Sequence, residues 1–241
     1  MSSEDELLHK TSNRYYPLPP GPWQSYQEWH DVVMLHWKVP AAQLQECLPP
    51  GLELDTFDGE AWVSWLAFSV KKMRLRALPP LPLVSNFQEV NLRTYVVRDG
   101  LPGIYLLSVE ADKLLNVWMN RLITGIPYVK SLIRRKEGQV SLINDVHHFK
   151  ACINFAFMDT LEKDGLDRWL TERHCLYGVE DDSGLYRYDI HHKEWKLHHV
   201  IASAASLRYR LGGLMIGKSF AIRKHFAKKV RVLLWKRTKV S

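Results

Sequence analysis

Residues 87–96 read FQEVNLRTYV. Written as a strand, they place Phe87, Glu89, Asn91, Arg93 and Tyr95 on one face and Gln88, Val90, Leu92, Thr94 and Val96 on the other. An acid, an amide and a guanidinium in a row, bracketed by aromatic rings, either look at water or line a pocket. Asp99-Gly100, a favoured tight-turn dipeptide, follows. The chain then returns as PGIYLLSVEA (residues 102–111), which makes an antiparallel hairpin the natural reading.

Two registers of that hairpin are open. The partner strand offers the polar face either Ile104, Leu106, Ser108 and Glu110, or Tyr105, Leu107, Val109 and Ala111. In the first case Glu89 and Glu110 share a site with Arg93. Like charges in a partly dry cavity raise one pKa while the guanidinium lowers the other, and this supplies an acid and a base near neutral pH. In the competing reading Glu89 and Arg93, four apart on one face, form a solvated ion pair contributing about 0–1 kcal/mol. Pattern alone leaves both standing.

Outward from the hairpin, DVVMLHWKV (31–39) reads as a strand. PAAQLQECLP (40–49) reads as a short helix with proline at its first position, and LELDTFDGEAWVSWLAFSV (52–70) as strands turning at Asp58-Gly59. RALPPLPLV (76–84) is a proline-rich loop. DKLLNVWMNRLIT (112–124) has helical apolar spacing, with Gly125 as a cap. YVKSLIRRKEGQVSLINDV (128–146), turning at Glu137-Gly138, and HHFKACINFAF (147–157) supply further strands. LDRWLTERHCLYG (166–178) is a short helix running into a strand, and SGLYRYDIHHKEWKLHHV (183–200) a strand pair. GKSFAIRKHFAKK (217–229) reads as mostly helical and VRVLLWK (230–236) as a last strand. Roughly ten strands with three or four helices and short turns predict one α+β domain, predominantly antiparallel, over residues 23–241. Residues 1–22, rich in proline and aromatics toward their end, form an arm laid over it.

The composition, 46% hydrophobic and 24% charged over 241 residues, is that of an ordinary globular protein. MSSEDELLHK lacks the basic and apolar regions of a signal peptide, and no apolar run approaches the roughly 18 residues that span a bilayer. Three scattered cysteines form neither a disulfide framework nor a metal knuckle, so a cytoplasmic address is expected. Twelve of the 33 basic residues, and no acidic one, lie from Trp195 to Ser241. Such a bias can attract acidic lipid or nucleic acid, but no nucleic-acid-binding motif accompanies it. Nucleotide-binding, nucleophile-elbow and zinc-helix signatures are absent, so no cofactor is expected. The doublets His147-His148, His191-His192 and His198-His199 point to opposite faces of a strand and cannot chelate one ion alone, so no metal is assigned.

MLHWKVPAAQLQECLPPGLELDTFDGEAWVSWLAF, FQEVNLRTYVVRDGLPGIYLLSVEA, WLTERHCLYG, LYRYDIHHKEW and VRVLLW resemble the YqjF-like family of uncharacterised proteins, over about residues 23–237. That family is in turn similar to the acetoacetate-decarboxylase-like superfamily. The resemblance implies a curved, barrel-like or double-sheet antiparallel fold with a central cavity and a few outer helices. It implies small anionic or carbonyl ligands. The decarboxylases use a lysine pair to form a Schiff base. At the matching place this chain reads Ser108, Val109, Glu110 and Ala111, so the Schiff-base step has no lysine to carry it. Glu89 matches the glutamate that faces the decarboxylase lysine.

The expected site is therefore Glu89 and Glu110 as acid–base groups. Asn91, Arg93, Tyr95, His36 and Trp65 would line the ligand, with Arg93 as a bidentate carboxylate clamp. Carboxylate acid–base chemistry on a keto or enol compound is the first functional expectation. A non-catalytic binding or sensing module is the second, and a peripheral protein using the basic C-terminal region the third. Association with a further copy of the chain stays open.

Overall fold

Residues 61–70, AWVSWLAFSV, are buried without a break, as happens when both faces of a strand are covered. The computed structural model describes residues 3–81, 84–179, 184–217 and 221–240, with side chains except at 3, 122 and 123. In chain order the elements are α1 (Ser3–Leu8), β1 (Ser25–Val39), α2 (Ala41–Gln45), β2 (Glu53–Leu54), β3 (Ala61–Leu75), β4 (Phe87–Arg98), β5 (Leu101–Ala111) and α3 (Leu114–Thr124). There follow β6 (Val129–Lys130), β7 (Leu132–Lys136), β8 (Gln139–Asn144), β9 (Phe149–Thr160), α4 (Gly165–Thr171) and β10 (Cys175–Val179). The chain closes with β11 (Leu185–His191), β12 (His198–Leu211), β13 (Leu214–Ile216), β14 (Arg223–Leu234) and β15 (Thr238–Lys239).

Strands β11, β10, β5, β4, β3, β1 and β14 are bonded in that order, and β14 returns to β11 through Ile190 and His191, closing a ring. All its pairings are antiparallel except β5 with β10. From β14 the sheet continues through β12, β9, β8 and β7. This second layer folds over the outside of β1, β3 and β4, burying Val33, Leu35, Val63, Trp65, Val90 and Leu92 against Leu142, Ile153, Leu207 and Tyr209. The inside of the ring holds Met34, Trp62, Leu66, Phe68, Tyr95, Val109 and Trp195, with Val117 of α3 and Leu170 of α4. Each large apolar side chain buried this way contributes about 1.5–3 kcal/mol. Two cores, one on each face of β3, explain its unbroken apolar run.

Local chemistry sets the turns. Asp58 and Gly59 have φ of 52° and 77°, and Asp99 and Gly100 have 50° and 75°, the paired positive values of a tight hairpin turn. Gly125 ends α3 at φ 71°, its N–H bonding the Arg121 carbonyl. Pro40 sits at the N-cap of α2 and not at its first helical residue. α4 starts in a capping box, with the Asp164 side chain on the Asp167 amide and the Asp167 side chain on the Asp164 amide.

Two expectations about the C-terminal third are corrected. Residues 223–229, expected to be helical, belong to the continuous strand β14, because they pair with His30–His36 of β1; residues 218–220 lie outside the described residues. Apolar spacing there suits either period, and the free edge of β1 decides it. Strands β11 and β12 do not pair with each other: β11 joins β10 and β14, and β12 joins β9. The described residues hold fifteen strands and four helices.

The N-terminal segment is stitched to this body. Leu7 is fully buried with Trp23, Tyr26, Leu233 and Trp235, and Arg14 donates to the Ile190 carbonyl at 2.7 Å. The three cysteines are free; Cys175 is buried, and Cys47 and Cys152 are partly so. Part of the basic C-terminal charge is answered by acids of the body: Lys229 meets Glu28, Arg231 meets Glu6, and Arg223 meets Asp164. Among the described residues no helix is long and apolar enough to cross a membrane.

Candidate functional site

The polar face of β4 turns inward. Its end residues Phe87 and Tyr95 belong to the core inside the ring. Val90 and Leu92 belong to the core between the layers. Glu89, Asn91 and Arg93 therefore point into the ring, where they keep 6%, 6% and 4% of their surface open. Of the two destinations considered for this face, solvent is excluded.

Register then separates residues that the sequence grouped. Across β4 and β5, Glu89 faces Ala111 and Asn91 faces Val109, while Glu110 faces Val90. Glu110 accordingly lies on the outer face, in the layer with Tyr209, and is not beside Glu89. Trp65 faces Leu92, and its Nε1 donates to the Tyr209 hydroxyl at 2.9 Å between the layers. Neither residue lines the ring interior. Trp62 takes the inward position instead.

Glu89 accepts hydrogen bonds from Asn91 Nδ2 and the Tyr128 hydroxyl, each at 3.0 Å. Burial pushes its pKa up to about 7, against the pull of those two bonds. Glu110 is pushed up to about 8, chiefly by burial, with the Glu89 carboxyl across the sheet adding to the shift. The expectation that Arg93 would hold one of the pair low is not met, because the guanidinium is near neither. Arg93 Nη2 donates to the Leu170 carbonyl at 3.1 Å, and its Nε is buried without a partner. No carboxylate within ion-pair distance answers its charge among the described residues. The carbonyl at the end of α4 offers only part of a negative charge.

Around Tyr95 the interior is cationic and aromatic. The Tyr95 ring lies 4.4 Å from that of Trp169, and the Arg173 guanidinium stands 5.0 Å from its centroid. Arg173 Nη1 pairs with Asp55 at 2.5 Å while its Nη2 is buried without a partner. The Tyr95 hydroxyl lies 3.0 Å from the Leu170 carbonyl and 2.5 Å from Ser64 Oγ. Ser64 continues to His36 Nδ1 at 2.6 Å, His36 Nε2 to His225 Nδ1 at 3.0 Å, and His225 Nε2 to Asp167 Oδ1 at 2.8 Å. All five residues of this chain are buried.

Cross-strand alignment builds that chain: Ser64 pairs with both His36 and Arg93, and Met34, two residues before His36, pairs with His225. His36 is pushed well below its ordinary range, first by burial and then by His225, Arg93 and Arg223 nearby. Burial by itself would raise Asp167. The bonds from His225 and the Asp164 amide outweigh this and hold it at about 2. Of the chain, sequence reasoning found His36 and Tyr95. It missed Ser64 and Asp167, and it missed His225 because residues 217–229 read as helix. Alternation of His225 and Ala227 inward against Phe226 outward was the signal available.

A second polar cluster lies under the arm. Ligand atoms of Glu172, His174 and His192 fall within 4.8 Å of one another. Both ring nitrogens of His192 face carbonyls, those of Lys193 at 2.9 Å and Arg173 at 3.1 Å, and Glu172 is bonded by Lys163 and Asn13. A ring nitrogen that donates its N–H to a carbonyl has no lone pair to offer an ion, and the Glu172 oxygens are taken up by their donors. The cluster fits a hydrogen-bonded brace between arm and body.

The closed ring with its outer layer defines the fold class. Solved structures of the acetoacetate decarboxylase-like fold are similar to this chain. The enduracididine biosynthesis enzyme MppR with HEPES bound aligns at TM-score 0.64 and 15% identity, over 93% of this chain and 89% of that one. Its complex with pyruvate aligns at 0.59 and 13%, over 94% and 93%. Acetoacetate decarboxylase from Legionella pneumophila aligns at 0.61 and 14%, over 97% and 94%. Residues 26–221 match the DUF2071 family of uncharacterised conserved proteins, and the chain belongs to that family. It is 37% identical to the uncharacterised protein YqjF of Bacillus subtilis (strain 168) over 238 residues, 95% of this chain and 98% of that protein.

Proposed function

We propose that the ring interior binds a small keto acid and acts on it by proton transfer. The observation that carries this reading is Arg93, a buried guanidinium with an unpartnered Nε and no acid beside it. An uncompensated buried charge is costly, and a ligand carboxylate would relieve it through a bidentate contact. Glu89, titrating at about 7 inside the same ring, is a group able to exchange a proton near neutrality. One fold relative, MppR, has been solved in complex with pyruvate, a small keto acid.

A Schiff base is not part of the reading, since neither β4 nor β5 contains a lysine. Calorimetric titration with pyruvate and acetoacetate, against acetone as the uncharged control, tests the proposal. Binding of the acids, but not acetone, and its loss in Arg93→Gln are expected. Equal binding of acetone, or acid binding that survives Arg93→Gln, would remove the Arg93 site. A mass adduct on lysine after borohydride treatment with either acid would restore the Schiff-base route.

A further inference from the structure

The hydrogen bonds from Tyr95 to Asp167 form a chain of four links: Tyr95–Ser64, Ser64–His36, His36–His225 and His225–Asp167. Donor and acceptor capacities fix its sense. In the form that can accept a proton, Asp167 is ionised and both imidazoles are neutral, and the phenol, the hydroxyl and the two rings then carry four protons, one for each link. His225 Nε2–H must point at the carboxylate, which leaves its Nδ1 to accept from His36 Nε2–H. His36 Nδ1 must then accept from Ser64, and Ser64 from Tyr95. Donation by Tyr95 to the Leu170 carbonyl would leave the 2.5 Å contact with Ser64 without a proton. In that form every proton in the chain points away from Tyr95 and toward Asp167.

Such an arrangement is set to take a proton in at Tyr95. Strand rise of about 3.3 Å per residue puts Tyr95 about 7 Å along β4 from Arg93 and Glu89 about 13 Å in the other direction. A three- or four-carbon acid fixed by Arg93 reaches the nearer group. Arg173 stands over the same tyrosine ring, so negative charge developing there meets two guanidinium groups.

We propose that Tyr95 is the general base for a small keto acid held by Arg93, with Ser64, His36 and His225 as positioning residues that carry the charge to Asp167. This rests on the keto-acid reading above and names the group that does the work. The C–H bond next to the ligand carbonyl breaks, and its electron pair stays on the ligand as an enolate. The proton goes to the Tyr95 oxygen as the phenol proton moves to Ser64. The Ser64 proton moves to His36 Nδ1, and the His36 Nε2 proton moves to His225 Nδ1. One imidazolium forms, beside the Asp167 carboxylate, and nothing is oxidised or reduced. The charged and titratable groups facing this path are Arg93 on β4, Arg173 with Asp55 after α4, and Arg223 on β14 beside Asp167.

The test is exchange of the pyruvate methyl protons in D2O, followed by proton NMR across pH 5 to 9, with pyruvate affinity measured in parallel by calorimetry. The chain is expected to accelerate exchange, and Tyr95→Phe to lower the rate about 100-fold with pyruvate still bound. Asp167→Asn keeps the acceptor oxygen but removes the charge. It is expected to move the rising limb of the pH–rate profile to lower pH and to lower the plateau rate, because the imidazolium loses its carboxylate neighbour, which loss of a merely structural contact would not do. An unaccelerated exchange in the native chain that binds pyruvate overturns the proposal. So does exchange that survives Tyr95→Phe and disappears in Glu89→Gln. Both of these leave keto-acid binding at Arg93 intact, whereas failure of pyruvate to bind at Arg93 removes the binding reading itself.

Discussion

Glu110 stands opposite Val90 and Glu89 opposite Ala111, so two buried carboxyl groups on neighbouring strands point into different layers of the molecule. Glu89 has two donors, whereas neither oxygen of Glu110 has a hydrogen bond of good geometry among the described residues, and the nearby Ser108 hydroxyl only offsets part of the rise in its pKa. The difference separates a group held ready inside the ring from one that burdens the packing between the layers.

Replacing Glu110 by leucine is therefore expected to stabilise the fold, and more so at higher pH. A carboxyl raised from 4.5 to about 8 binds its proton more tightly folded than unfolded, so its contribution to stability falls as pH rises between those values. The gap between Glu110→Leu and the native chain should widen by about 1.4 kcal/mol per pH unit over that window and level off above it. Denaturant midpoints at pH 5, 6.5, 8 and 9 measure it. A gap independent of pH would show that Glu110 is not the titrating group.

Histidines act with the opposite sign. His36, His174, His191 and His192 are all lowered, chiefly by burial, with His191 at about 4. Groups depressed in this way keep their stabilising neutral form above about 6.5, and stability is lost as pH falls from there toward the folded values. Thermal unfolding is expected to shift to lower temperature between pH 7 and pH 5. The His191→Gln variant should lose less over that interval than the native chain.

Gly103 sits at the parallel seam between β5 and β10. A Cβ there would lie 2.5 Å from Cys175 Sγ, 2.8 Å from the Tyr177 ring and 3.0 Å from the Cys175 carbonyl. Gly103→Ala is expected to cost about 1–3 kcal/mol by overpacking. Gly213, with nothing within 4 Å of its added Cβ, is the control, and Gly213→Ala should change stability by less than about 0.5 kcal/mol. Equal denaturant midpoints for the two variants would contradict the tight seam.

Between the layers, the Tyr209 hydroxyl accepts from Trp65 Nε1. Tyr209→Phe removes the acceptor and leaves a buried indole N–H unsatisfied, at a cost of about 1–3 kcal/mol. Equilibrium unfolding monitored by tryptophan fluorescence measures the loss. A change under about 0.5 kcal/mol would mean that another acceptor replaces it.

What sequence alone determined about this protein is local. Period-two alternation grouped Glu89, Asn91, Arg93 and Tyr95 on one face, Asp-Gly dipeptides placed two hairpin turns, and Gly125 ended a helix. Each is a property of a few consecutive residues and their dihedral angles. Alternation says which side chains share a face, and it is silent on which face is covered. Closure of the ring through β14 and β11 decided that, and it also recruited residues 223–229, whose apolar spacing suits helix or strand. Register, including the irregularity between Leu92 and Arg93, set Glu110 and Trp65 apart from the site. The chain from Tyr95 to Asp167 joins residues 31, 28, 189 and 58 positions apart. Hydrogen bonds between such distant positions exist only once strand pairing has set β1, β3, β4 and β14 side by side and α4 has brought Asp167 against them, which is why only the tertiary structure could assemble them.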